Sequence, residues 1–207
     1  MIAEFFNASM SMNGNRLFSD ISFVAIPGDR VALICDDGNA GTMVLQTFLG
    51  MRRLDSGWAS FDGEPILPHL AACFRHHITY MPKQFDFGSM TVVDVAKALY
   101  GEQINHEISY SADKLADAMQ QLGVDKIFVN KPFNSLDPAT SQRVAIALAC
   151  IFERPIALFD NPTSHQDEAG RDIVTQFIAS ERFDDVAVVV ATNSQEMIGM
   201  CNKTVRL

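Results

Sequence analysis

The sequence predicts an α/β fold, with a parallel-sheet core, an antiparallel β edge and a helical insertion. Three short apolar runs carry that expectation, at residues 31–35, 156–159 and 186–191. Unbroken runs of this length, bounded by polar residues, read as strands buried on both faces of a parallel sheet. Each is followed by a helical pattern, and strand, loop and helix in repetition mark an α/β chain.

The elements can be justified in order. Residues 2–9 and 21–26 read as strands around Asn13-Gly14-Asn15, with Pro27-Gly28-Asp29 turning the chain into the first buried strand. Residues 42–49 follow as a helix that stops at Gly50. Residues 58–61 and 64–67 form a hairpin across Asp62-Gly63. Thr91 caps a helix over 92–100, and Ser111 caps another over 112–122, closed by Gly123. Asp137-Pro138 opens a helix to about Phe152, with Asp as the cap and Pro in the first turn. Along 167–180, Ile173, Val174, Phe177 and Ile178 make an apolar face, and Ser194 caps a short helix ending near Met200.

At 207 residues and 22.8 kDa, with 48% hydrophobic and 20% charged residues, the chain suits one globular domain, 1–207. Its core is expected at 1–85 and 151–207, with a helical subdomain at about 86–150. Lys and Arg total 16 against 25 Asp and Glu, giving a net charge of −9 and a pI near 4.9. Such a balance argues against a nucleic-acid binder and against attraction to anionic lipid. The longest wholly apolar stretch, 144–152, has nine residues, well short of the roughly 20 that span a bilayer. The N-terminus, MIAEFF, has no basic region ahead of an apolar run, so no secretory signal is expected. Cys35, Cys73, Cys150 and Cys201 form no CxxC pair and read as unpaired core thiols of a reduced, cytoplasmic protein. His69, His76, His77 and His165 show no metal spacing, and the ten methionines read as core filler.

Seven segments in fixed order then resemble one family along the whole chain. LFSDISFVAIPGDRVALI resembles its opening segment, and CDDGNAGTMVLQTFLG stands where a Walker A loop and its helix belong. ITYMPKQ resembles a Q-loop, with MTVVDVAKAL after it, and LDPATSQRVAIALA occupies the place of the signature loop and helix. IALFDNPTSHQD matches Walker B and the D-loop, and VVVATNSQE the strand and switch-histidine region. The chain thus resembles the ATP-binding cassette, the nucleotide-binding domain of ABC transporters. The resemblance implies a P-loop NTPase fold, ATP and Mg²⁺ as ligands, and a separate membrane permease as partner, with a second cassette subunit as a further candidate partner.

The site residues depart from the family pattern. A P-loop holds phosphates with backbone N–H groups freed by glycines, a lysine on the β/γ oxygens and a hydroxyl on Mg²⁺. Here the loop and helix start are Asp37, Gly38, Asn39, Ala40, Gly41, Thr42 and Met43, with Cys35 and Ala40 at the two glycines and Gly41 at the lysine. Losing one charge-assisted bond costs roughly 1.5–3 kcal/mol, and Asp36 and Asp37 oppose an anion further. Gly38 and Gly41 still permit an anion nest, whereas the plainer reading is a turn that only closes the fold. Thr42 and Asp160 stand at the Mg²⁺ ligands. Asn161 replaces the glutamate that polarises water, a loss worth roughly 10²–10⁴ in rate, and Asn193 replaces the switch histidine. Lys83 stands at the Q-loop glutamine, although a one-residue slip would bring Gln84 to the metal. Met12 takes the place of the aromatic residue that stacks on adenine.

The signature loop reads Leu136, Asp137, Pro138, Ala139, Thr140. Pro138 has no N–H to offer, and Asp137 would put its own carboxylate where the partner's phosphate should lie, so this helix start is expected to be self-capped. Three aspartates of the acid excess (Asp36, Asp37 and Asp137) sit where the family holds phosphate. Two readings follow: a degenerate cassette with impaired or absent hydrolysis, in a structural or regulatory role, or an active ATPase subunit powering a separate permease. A half-site partner in a heterodimer normally lends a sound signature, which this chain lacks. The permease would dock beside residues 83–100, where Phe85 and Phe87 are either contact or core residues. The chain itself is expected at the inner face of the membrane without entering it, and without binding nucleic acid.

Overall fold

A computed structural model describes residues 1–35, 39–67, 69–102 and 111–207. The chain opens with a hairpin of β1 (Ala3–Met12) and β2 (Asn15–Ala25). Asn13 and Gly14 join them with φ of +52° and +81°, the left-handed pair whose twist matches that of the strands. Next come β3 (Arg30–Ile34), α1 (Ala40–Phe48), a second hairpin of β4 (Ser56–Phe61) and β5 (Glu64–Pro65), the short α2 (Ala71–Arg75) and β6 (Ile78–Met81). Three helices follow, α3 (Val92–Gly101), α4 (Ala112–Gln121) and α5 (Pro138–Cys150), with 3₁₀ turns at Lys126–Asn130 and Phe133–Ser135 before α5. The chain ends with β7 (Ile156–Asp160), α6 (Glu168–Ala179), β8 (Ala187–Ala191), α7 (Gln195–Met200) and β9 (Lys203–Arg206).

Among the described residues the strands form two sheets. One is antiparallel in the order β2-β1-β4-β5, and the other runs β6-β7-β8-β3-β9 with every pairing parallel. Residues along its central strands alternate between two cores. Ile156, Leu158, Ala187, Val189 and Ala191 face α1 and the antiparallel sheet, while Ala157, Phe159, Val188 and Val190 face α3 to α6. Burial on both faces is why β7 and β8 are apolar without interruption. The expected parallel core, antiparallel edge and helical segment are all present. β6 and β9 were not anticipated; β9 is an edge strand, KTVR, with no apolar run to announce it.

Side-chain oxygens start five helices as their residue types require. Thr91, Ser111, Asp137, Asp167 and Ser194 each accept from a backbone N–H in the first turn that follows. Near the base of β3, the buried Asp29 accepts from Lys203 Nζ at 2.6 Å, Ile26 N at 2.8 Å and Asn202 Nδ2 at 2.9 Å. Burial works against its charge, but these bonds outweigh it and hold the carboxyl below its usual range. Arg30 reaches the carbonyls of Ile178, Ala179 and Ser180 and pairs with Asp184, tying the end of α6 to the sheet. The cysteines need a correction. All four are unpaired, but only Cys35 and Cys150 are buried; Cys201 is half-buried and Cys73 is exposed on the one-turn α2.

Candidate functional site

The candidate site lies where the parallel strands end. Asp37 and Gly38, with Asp36, fall outside the described residues. Asn39 is exposed, Ala40, Gly41 and Met43 are buried, and Thr42 is half-buried. α1 lies so close to β8 that a β-carbon added to Gly41 would stand 2.7 Å from Ala191 Cβ and 3.5 Å from Cys35 Sγ. Ordinary carbon contacts are about 3.5–4.0 Å. Gly41, expected at the family's lysine position, therefore has no space for a side chain as the backbone stands.

Ala191 is the register partner of Asp160, the last residue of β7, which is wholly buried. Asp160 Oδ1 accepts from Asn161 Nδ2 at 3.0 Å, while Oδ2 has no hydrogen-bond partner among the described residues. Burial raises the Asp160 pKa. The Thr42 hydroxyl, the Asn161 amide and the ammonium and backbone N–H of Lys83 all pull the other way. Asp160 in turn reaches Tyr80, whose hydroxyl burial and that negative field push up to about 12 against a hydrogen bond with Gln46. The structure thus brings Thr42 and Asn161 to Asp160, with no ion pair between Lys83 and Asp160 among the described residues. It does not bring Gln84, which is exposed. Asn193 is committed elsewhere, donating from Nδ2 to the Cys35 carbonyl at 2.8 Å. Met12 packs half-buried against the core beside α1.

At the start of α5, Asp137 Oδ1 accepts from the N–H groups of Ala139 and Thr140, both at 3.0 Å. The Thr140 side chain adds the largest contribution holding this carboxyl below its usual range, followed by those backbone bonds. Pro138 occupies the first turn. Leu136 precedes the cap, half-buried against the core. The helix start is closed by its own carboxylate, as its sequence predicts.

With this geometry in view, comparison with known proteins decides the family. The family model described as "ABC transporter" matches residues 18–164, more than half of the chain. The chain belongs to the ABC transporter family. It is 25% identical over 195 residues to an ABC transporter ATP-binding protein of Treponema denticola, covering 92% of this chain and 37% of that protein. It is 27% identical over 198 residues to the spermidine/putrescine import ATP-binding protein PotA of Haemophilus influenzae, covering 94% of this chain and 52% of PotA. The chain spans roughly a third to a half of the length of these two relatives. Its fold superposes on the dimeric structure of MJ0796, a bacterial ABC transporter cassette, with a TM-score of 0.84 at 20% identity, covering 100% of this chain and 94% of the other. The P-loop NTPase cassette fold is therefore shown.

One feature of the cassette was not legible in its motifs. Gln142, in the first turns of α5, is a wholly buried polar hub. Its Nε2 donates to the Asn161 carbonyl at 3.1 Å and to Ser164 Oγ at 3.0 Å. Its Oε1 accepts from His165 N at 3.1 Å and Gln166 Nε2 at 2.9 Å. Gln166 also donates to the Ala139 carbonyl at 2.9 Å, so the D-loop and the signature helix are locked together. A glutamine on the buried side of a helix is the signal that could have revealed this. Beside residues 83–100, where the resemblance implies a docking place, lies a groove of about 240 Å³ lined by Phe85, Phe87, Leu99, Ala149, Phe152 and two arginines, Arg75 and Arg154. Phe85 and Phe87 are both half-buried and pack on Phe133, at centroid distances of 5.8 and 4.9 Å. Among the described residues no cluster of His, Cys, Asp and Glu could hold a metal, and no helix is long and apolar enough to cross a membrane.

Thr42 and Asp160, the two residues expected at the Mg²⁺ positions, stand together as hard oxygen donors. The buried, unpartnered Oδ2 of Asp160 is the acceptor that a cation would complete. These residues fit a cation; Gly41 offers nothing to a phosphate beyond its backbone.

Proposed function

We propose that the chain is a degenerate ATP-binding cassette, a subunit of an ABC-type transporter complex that does not hydrolyse ATP by the family mechanism and acts in a structural or regulatory role. The observation that carries this reading is the contact of α1 with β8. At Gly41 the lysine is not merely absent, because its β-carbon would stand 2.7 Å from Ala191 Cβ. Asn161 supports it, since an amide cannot accept the proton of an attacking water and its Nδ2 is already held by Asp160. Asp137 supports it from the other side. In the family a composite site takes the signature from a partner, and here those N–H groups are bonded to a carboxylate.

A second reading, weak nucleotide binding without turnover, is favoured by Asp160 and Thr42. Mg²⁺ bound there would supply charge neutralisation to phosphate oxygens, with Thr42 and Asp160 as its protein ligands. We read residues 1–207 as one cassette domain, with 86–150 as its helical part. The partner is a separate permease, seated in the groove of Phe85 and Phe87, at the cytoplasmic face of a membrane. The largely apolar lining, which also includes two arginines, is what supports that seat.

Calorimetric titration of the chain with Mg-ATP, followed by a phosphate-release assay, tests the proposal. Weak binding or none, with no release above background, is expected. Release that disappears in Asp160→Ala would overturn it.

A further inference from the structure

Away from the cassette site, one pocket joins an exposed aromatic platform to two arginines with free donors. Trp58 is the chain's only tryptophan. Among the described residues, Trp58 and Phe6 are the exposed aromatic side chains, at 50% and 45%. They stand opposite each other where β1 pairs with β4. Their neighbours Phe5 and Ala59 are buried, so alternation puts Phe6 and Trp58 on the outer face of the sheet. The two rings stack at a centroid distance of 4.4 Å with 27° between their planes. Gly57 allows this approach. At φ +75° it runs beside the irregular part of β1 between Phe6 and Ser9, and a β-carbon there would collide with the carbonyl oxygens of Phe6 and Asn7. Phe6 thus supports the indole, and half of Trp58 stays open.

Trp58 lines a pocket of about 440 Å³ together with Arg52, Arg53, Leu54, Pro65 and Leu67, a volume typical of small-molecule sites. Arg52 donates from Nε to Gln46 Oε1 at 2.9 Å. Its terminal nitrogens, and the whole guanidinium of Arg53, have no hydrogen-bond or ion-pair partner among the described residues. None of the described residues lining the pocket is acidic, in a chain whose net charge is −9. The pocket reaches Thr47 near the end of α1, whereas Thr42 and the cassette site stand at the start of that helix.

We propose that this pocket is a second ligand site, for a mononucleotide whose base stacks on Trp58 and whose phosphate is held by Arg52 and Arg53. An aromatic side chain accepts the flat face of any base, and a guanidinium fork matches phosphate oxygens. The pair of arginines sets the charge of the ligand. A phosphate monoester carries close to two negative charges near neutral pH, whereas a carboxylate carries one and is satisfied by a single fork. This site uses none of Gly41, Thr42 and Asp160, requires no metal, and stands apart from the degenerate-cassette reading.

The test is quenching of tryptophan fluorescence in the full chain, in EDTA, by AMP and by its two halves, adenosine and ribose 5-phosphate. With one indole in the chain, the signal comes from this pocket and not from the cassette site. AMP is expected to quench with half-saturation at or below about 1 mM. Adenosine, without the phosphate, should need at least about tenfold more. Ribose 5-phosphate, without the ring, should compete with AMP only at about tenfold higher concentration or more. Arg53→Ala is expected to lose about ten- to a hundredfold in AMP affinity, the worth of one charge-assisted bond, and Arg53→Lys to keep part of it. The melting temperature of each variant is the folding control. No saturable quenching by AMP up to about 10 mM would overturn the site and leave the Trp58–Phe6 patch to a protein partner. Equal quenching by adenosine and AMP would overturn it as collision with an exposed indole. So would AMP affinity that is unchanged in normally melting Arg52→Ala and Arg53→Ala variants. Phosphate release from Mg-ATP would count against the degenerate reading and leave this site untouched.

Discussion

Replacing Gly41 by alanine sets two effects of opposite sign against each other. In an unobstructed helix the change is favourable by roughly 0.5–1 kcal/mol, because glycine loses more backbone freedom on folding. In this helix the new methyl group would stand 2.7 Å from Ala191 Cβ, about 1 Å inside an ordinary carbon contact. Ala191 is wholly buried in the central sheet and cannot rotate away. Overpacking of this kind costs roughly 1–3 kcal/mol, so the steric loss is expected to win by about 1–2 kcal/mol. For a chain of this size that corresponds to a fall of about 2–8 °C in melting temperature. Thermal and urea unfolding of Gly41→Ala, followed by circular dichroism, would measure it. Gly41→Lys is expected to lose at least as much, and Ala191→Gly in the same chain to relieve part of the loss. An increase in stability for Gly41→Ala would refute the reasoning, because it would mean that α1 has room at this position and that the family's lysine could be accommodated.

Other expectations concern residues outside the helix α1 contact. Asp137→Ala removes the cap of α5 and should cost about 1 kcal/mol, read from the urea midpoint. Gln142→Ala strips four hydrogen bonds from a buried hub and should cost about 2–4 kcal/mol; a loss below 1 kcal/mol would show that the lock is water-filled or dispensable. Asp29 and Asp137 are both held below the ordinary value of 3.8. Their contribution to stability is therefore complete above that pH and is lost as pH falls through their lower folded values. A chain with both changed to Asn should have a flatter acid limb in melting temperature against pH, and an unchanged limb would contradict this. Among the thiols, Cys73 should react first with a disulfide reagent in the native state, while Cys150, pushed up to about 12 by burial, should stay unreacted until unfolding.

Much of the fold was legible because the deciding signals are local. Strands buried on both faces must be apolar throughout, which exposed β3, β7 and β8, and caps at Thr91, Ser111, Asp137, Asp167 and Ser194 need particular side chains next to helix starts. β9 carries no such mark, since KTVR pairs with β3 alone at the sheet edge and stays largely exposed. β6, four residues of mixed polarity, takes its place from pairing with β7. At the site the motif positions were readable but their contacts were not. That Gly41 is hemmed in, for example, depends on how closely α1 lies on β8. Gln142 was missed because its four partners come from segments 19 to 24 residues away.

The central claim is that this member of the ABC transporter family keeps the cassette fold without the cassette's chemistry. Phosphate release from Mg-ATP by the unmodified chain, with Asp160→Ala measured beside it, tests that claim most directly. The two proteins are expected to be indistinguishable from buffer. Turnover by the unmodified chain that Asp160→Ala abolishes would contradict it.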